Sequence, residues 1–301
     1  METARSKATW SRKLKDNVAG YLFILPTLIL FGVFFVFSFY FLIKTSFQDV
    51  NLSFLNAEFV GWDNYKLVLS DDRFFKSVFN NFVLSAFGIF VSLTLGFLVS
   101  IFLSFKFRGS RLLHGIYFLP SLLPMALTAS VFGLMMEYKF GTLNVFLRSI
   151  GLEEFALRWL GDPQLALYSV MFVSIYLIGI PMMYYTSELT TLNTGILEAA
   201  VIDGAGMWKI IGFILFPLLK NSHKTIILSM LLASFREFER VFLMTDGGPA
   251  GATEITSTYI YRYVKMGTDM GYVSAASVII LLIALVISFI QLSVYRRSSR
   301  K

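Results

Sequence analysis

The residues that could do chemistry in this chain sit in unusual company. Only eleven uncharged residues, 225–235, separate Lys224 from Arg236, and the sequence then runs Arg236-Glu237-Phe238-Glu239-Arg240. A helix that crosses a bilayer needs ~20 apolar residues for a ~30 Å core. The helix beginning near Thr225 is therefore expected to continue through the charged run to about Leu243. Charges at that depth are costly, so they should face a protein interior or a water-filled cavity and pair. Arg236 with Arg240, and Arg236 with Glu239, have the i,i+4 and i,i+3 spacing of a shared helix face. A functional role for these charges and a structural ion-pair lock both fit, and the sequence leaves both open.

Catalytic chemistry is missing. There is no GxxxxGK followed by Ser or Thr, so ATP binding by that route is not expected. No HExxH, GxSxG or CxxC occurs, and the absence of cysteine excludes disulfides and Cys-ligated metals. Two isolated histidines cannot make a plausible metal site; His114 suits an interfacial position at a span end. No catalytic residue, metal or cofactor is expected in this chain, and energy for any work it does must come from elsewhere.

A second polar stretch, 198–217, reads EAAVIDGAGMWKIIGFILFP and lies between two membrane-length apolar runs. Residues 196–202 have helical content, with Ala199 and Ala200 allowing another surface to approach closely. Asp203-Gly204-Ala205 breaks that helix, because Gly tolerates positive φ. Residues 207–215 can restart a helix, which Pro217 ends or kinks. The expected result is two short helices at an angle, a compact rigid element.

The elements that must position these residues follow from composition. The chain is 56% hydrophobic and 15% charged, with a mean hydropathy of +0.69. Soluble domains carry about a quarter charged residues, so the apolar surplus faces lipid and the protein is integral to a membrane. Residues 1–18 form a basic segment, with Arg5, Lys7, Arg12, Lys13 and Lys15. Uncharged runs predict spans at 19–43, 82–105, 112–136 (interrupted by Pro120 and Pro124), 163–187 (with Pro181) and 271–295, with 225–243 as the fifth. The first run is too long for the apolar core of a cleavable signal. The fold class is thus all-α, a six-helix membrane domain at 19–295. Mixed segments at 44–81, 137–162 and 244–270 lie on one side and the 188–221 loop on the other; 296–301 is a tail.

The 198–217 pattern closely resembles the EAA loop of ABC-importer permeases, matching at Glu198, Ala199, Ala200, Asp203, Gly204, Ala205, Ile214 and Pro217, with Phe216 where that family usually has Leu. Three further motifs resemble the carbohydrate-uptake (maltose-type) branch. They are Phe59-Val60-Gly61-Trp62-Asp63-Asn64-Tyr65, the turn Thr245-Asp246-Gly247-Gly248-Pro249, and Gly271-Tyr272-Val273-Ser274-Ala275-Ala276-Ser277. Gly141, Asn144, Leu147 and Gly151 are also spaced as in that family. The resemblance covers most of the chain, 59–279. It implies a type I permease fold and a loop that docks into a cleft of an ATPase subunit. It also implies a second homologous permease, a cytoplasmic ATPase dimer carrying ATP and Mg, and an external solute-binding protein, all in a bacterial plasma membrane.

Six spans put both termini on one side. Fifteen of the 26 Lys and Arg residues fall there, against five of the 19 Asp and Glu. The positive-inside rule then places the termini and the 198–217 loop in the cytoplasm. The net charge of +7 is explained by this topology and needs no nucleic-acid partner.

A sugar site of the kind the resemblance implies combines aromatic faces with hydrogen-bonding groups. Candidate pathway residues are Tyr176, Tyr184 and Tyr185 on the fourth span, Arg236, Glu237, Glu239 and Arg240 on the fifth, and Ser274 on the sixth. An interfacial aromatic belt is the alternative for the tyrosines. If the arginines touch solute, an acidic sugar or sugar phosphate fits; glycerol-phosphate and polyol permeases share these motifs. A stand-alone secondary transporter, expected to show inverted repeats and midplane acidic sites, and a scaffold without transport are the rivals from other classes.

Overall fold

The computed structural model describes residues 18, 20–105, 107–267 and 269–299, with side chains described as far as residue 293. The basic residues expected at the N-terminus and in the tail lie outside the described side chains. The chain divides into two compact units.

The first unit comprises the described residues up to Val68 together with Met266–Val278. Helix α1 (Gly20–Ser46) is one of four helices, among the described residues, long and apolar enough to cross a membrane. Its apolar side chains are mostly exposed, as a lipid- or partner-facing helix requires. A two-residue ribbon follows, with β1 (Gln48–Asp49) antiparallel to β2 (Glu58–Phe59), and then α2 (Asp63–Leu69). Asn64 closes this unit, its side-chain amide donating to the carbonyls of Ser46 at 3.0 Å and Gln48 at 2.9 Å. A Cβ at Gly271 would collide with the Gln48 carbonyl and stand 2.8 Å from the Asn64 amide nitrogen. Two of the sequence motifs therefore meet at one backbone crossing.

The second unit spans Leu69–Lys265 and Ile279–Lys301. Its longest helix, α3 (Asp72–Ser104), starts ten residues before the 82–105 span expected from charge alone. Asp71 caps it by accepting from the Arg73 amide at 2.8 Å. Its early polar residues do not end the helix because they are buried with partners. Asn80 donates to the Ala252 and Glu254 carbonyls, and Asn81 to the Ser234 carbonyl.

The proline-interrupted third span is two helices, α4 (Ser110–Leu122) and α5 (Met125–Met135), bent by 96°. Pro124 lies in the two-residue break, where a missing amide and a clashing ring stop a helix. In the connection after α5, helix α6 (Thr142–Ser149) carries buried Asn144. Asn144 donates to the Tyr138 and Leu157 carbonyls and accepts from the Trp159 indole at 2.7 Å.

Helix α7 (Ala166–Leu189) loosens at Leu177–Ile178, the turn whose carbonyl Pro181 cannot engage. It crosses α3 where a Cβ at Gly96 would stand 2.9 Å from Pro181, and α4 where a Cβ at Gly179 would stand 2.6 Å from the Tyr117 carbonyl. Short helices α8 (Thr194–Ile202) and α9 (Met207–Leu218) follow, and α10 (Lys220–Ser234) begins directly after them.

The fifth span differs from expectation. The helix does not run through the charged stretch: α10 ends at Ser234, and α11 (Glu239–Thr245) restarts after a break containing Arg236 and Glu237. Arg236 therefore shares no continuous helix face with Glu239 or Arg240. Side chains occupy the carbonyls freed by the break. Asn81 donates to Ser234 at 2.9 Å, and Ser257 donates to Glu237. Backbone groups freed at a helix break and shut away from water need such partners from the protein. Helix α12 (Thr256–Met266) follows the Gly-rich turn, and α13 (Met270–Ser299) ends the described chain.

Candidate functional site: the α8–α9 loop and the broken fifth span

Asn193 starts the loop by accepting from the Gly195 amide at 2.9 Å. Helix α8 then ends in a Schellman turn. Gly204, at φ +76°, donates to Val201 at 3.0 Å, and Ala205 donates to Ala200 at 2.9 Å. No heavy atom lies within 4 Å of a Cβ built at Gly204. Backbone handedness, not space, is what demands glycine there. Glu198, Ala199, Asp203 and Pro217 are exposed, Ala205 is half-buried and Ala200 is buried. Pro217 sits in the last turn of α9, as its sequence position implied.

Two faces of this loop are built differently. Leu215 and Leu219 are buried with Phe97, Ile101, Tyr185 and Ile226 in one apolar cluster. On the outside, Ile202, Trp208 and Phe213 are 85%, 79% and 82% exposed. Apolar side chains this open on a capped, rigid turn mark an interaction surface. The sequence reading did not single them out; the available signal was three large apolar residues in a stretch flanked by polar breaks.

The loop is tied to the fourth span through His223. Its Nδ1 stands 2.6 Å from the Tyr185 hydroxyl, and its Nε2 stands 2.8 Å from the Phe216 carbonyl. A carbonyl only accepts, so Nε2 carries the proton and Nδ1 accepts from Tyr185. The Phe216 ring lies 4.3 Å from the imidazole, centroid to centroid, and meets Phe97 edge-on. The aromatic residue in place of the usual Leu thus completes a cage around His223. Alongside, Glu188 accepts from the Ser222 amide at 2.7 Å, and the Ser222 hydroxyl donates to the Tyr184 carbonyl at 3.0 Å.

The charged residues separate into two kinds. Arg240, 6% exposed, donates through Nε and Nη2 to the two oxygens of Glu237, at 3.2 and 2.8 Å, and through Nη1 to Ser174 at 2.8 Å. This bidentate pair fixes the break. Arg236 and Glu239 are exposed, and their side chains make no hydrogen bond or ion pair among the described residues. Of the tyrosines, Tyr176 is partly open and packs edge-on against Phe132, and Tyr184 is also partly open. Tyr185 is fully buried with its hydroxyl engaged, so it supports the loop and offers no face to a solute in this structure. Ser274 is buried within the first unit.

Residues 88–300 match the model of the binding-protein-dependent transport system inner membrane component family. The chain belongs to this family. A probable ABC transporter permease of Pyrococcus horikoshii is 31% identical over 267 residues, covering 88% of this chain and 91% of the relative. The trehalose/maltose transport system permease protein MalF of Thermococcus litoralis is 28% identical over 286 residues, covering 94% and 96%. The permease also shares its fold with a chain of a bacterial alginate ABC transporter, solved in complex with alginate pentasaccharide-bound periplasmic protein. The two align with a TM-score of 0.79 at 22% identity, over 96% of this chain and 98% of that one. The protein is the membrane permease component of a binding-protein-dependent importer.

Proposed function

We propose that this permease forms half of the translocation path for a sugar or oligosaccharide, driven by a separate cytoplasmic ATPase dimer. The observation that carries the reading is the α8–α9 loop. It is rigidly capped at Gly204, open on its Trp208 face, and anchored by Leu215, Leu219 and His223 to the helices around it. Such an element can turn movement of an ATPase cleft into rotation of the spans to which it is fixed. Glu198, Asp203 and Gly204 form the joint. ATP can favour one orientation of the path only through contacts that differ between the two states.

In this reading the chain crosses the membrane six times. The bent α4–α5 pair is the third crossing and the α10–α11 pair is the fifth, the latter broken as transporter helices are beside a solute path. Both termini and the loop are cytoplasmic, a second homologous permease completes the path, and an external binding protein delivers the solute. The membrane is a bacterial inner membrane. The sugar assignment is supported by the relative from the trehalose/maltose transport system of Thermococcus litoralis. The exposed charges of Arg236 and Glu239, and the partly open Tyr176 and Tyr184 on the fourth span, are the groups available to a solute. Acidic oligosaccharides and glycerol-phosphate or polyol solutes are the alternatives within the same class.

The test is uptake of labelled oligosaccharide into vesicles holding the full importer. Uptake is expected only with the ATPase, the binding protein and ATP together. Uptake that persists without the ATPase would support a stand-alone secondary transporter instead.

A further inference from the structure

A cavity of about 1240 Å³ opens between the end of α3, the start of α4, the end of α7 and the α8–α9 loop. Small-ligand clefts run from about 300 to 1,000 Å³, so this chamber is larger than a free phosphate or a sugar monomer needs. Its walls are mainly apolar, with Leu189, Leu197, Ile211 and Leu215 among them, and there is no Asp or Glu among the described residues that line it. Among the described residues, Arg111 and His114 are the titratable groups at its edge. They lie three residues apart on α4, one face of a helix, and neither side chain makes a hydrogen bond or ion pair among the described residues. A cation beside an oily chamber with no counter-ion of its own calls for an anion attached to something apolar.

We propose that this chamber is a binding site for an anionic phospholipid, with its acyl chain against the leucine and isoleucine walls and its phosphate at Arg111 and His114. The inference rests on the placement of the α8–α9 loop at the cytoplasmic membrane surface. Basic pockets between helices at that level take anionic headgroups, and one basic residue near an anionic surface gives about a fivefold preference. The lipid would lie against both the loop and the end of the fourth span, and so would set how tightly the two are held together.

The experiment is native mass spectrometry of the importer complex, exchanged into detergent and offered phosphatidylglycerol or phosphatidylcholine in equal amounts. The wild type is expected to retain phosphatidylglycerol about fivefold over phosphatidylcholine. The double variant Arg111→Ala, His114→Ala should lose that preference while keeping some of both lipids, because both residues are at the edge and the walls remain. Ile211→Trp, which narrows the chamber at its apolar wall, should retain less of both lipids than the wild type. Equal retention of the two lipids by the wild type, or an unchanged preference in the double variant, would overturn the site. So would crosslinking of the wall at Leu197→Cys to another protein subunit with no lipid retained, which would make the chamber a protein-docking surface. If residue 204 proves to be external while the anionic lipid is still selectively held, the orientation fails and the lipid site stands.

Discussion

The Tyr185 hydroxyl donates to His223 Nδ1 at 2.6 Å, while the same imidazole donates from Nε2 to the Phe216 carbonyl in the loop. One ring therefore bridges the fourth span and the last turn of α9. Because the link joins the proposed lever to the helix it would turn, breaking it should separate ATP hydrolysis from uptake. Tyr185→Phe and His223→Ala are each expected to lower the solute imported per ATP hydrolysed, with the complex still assembled. A buried partner left unsatisfied costs about 1–3 kcal/mol. The double variant should be no worse than the worse single one, since both remove the same link. Parallel measurement of ATPase rate and uptake checks this; an unchanged ratio in both variants would show that the bond only fills space.

At Gly204 the constraint is the sign of φ and not the room for a side chain. A residue other than Gly in the left-handed region costs about 1–2 kcal/mol, with Asn among the exceptions. Gly204→Val should therefore impair uptake strongly with normal expression, and Gly204→Asn should impair it little. Equal uptake by the two variants would reject the turn as the element that matters.

The Glu237–Arg240 pair is mostly buried, and removing one partner strands the other. Glu237→Ala is expected to destabilise the protein by about 3–5 kcal/mol, whereas Glu237→Met with Arg240→Leu should be about neutral in a detergent melt. The Arg236 side chain is exposed and has no partner among the described residues. Arg236→Ala should leave the melt unchanged and lower uptake of an acidic oligosaccharide more than that of a neutral one. Equal loss for both substrates would assign Arg236 to a subunit contact.

Asn64 serves two carbonyls and Gly271 leaves no space for a methyl group beside one of them. Gly271→Ala should reduce the yield of monodisperse protein more than Asn64→Ala, whose cost is about 1–3 kcal/mol. Gel filtration in detergent reports the difference. Wild-type yield from Gly271→Ala would contradict the packing described for the first unit.

These residues also show what was legible in the sequence. The glycine-broken loop could be read directly, because a Gly at φ +76° and a Pro in the following helix leave local signatures. The motif positions Asn64, Asn144 and Gly271 were visible, but not their work, which is to join backbone segments far apart in the chain. The fifth span was misread as one helix. Length and hydropathy count residues, whereas the break depends on Asn81 and Ser257 arriving from other helices to satisfy its carbonyls. Tyr185 looked like a pathway aromatic because its partner, His223, lies 38 residues away in sequence.

If the proposed function holds, the α8–α9 loop is a cytosolic surface that receives a motor subunit. The chain has no cysteine, so Trp208→Cys, at a site 79% exposed, gives a single label. In intact cells it should resist a membrane-impermeant thiol reagent, and in inverted vesicles it should react. Once the ATPase is added, it should be protected and crosslink to that subunit. Labelling from outside intact cells, or full reactivity with the ATPase bound, would contradict the account.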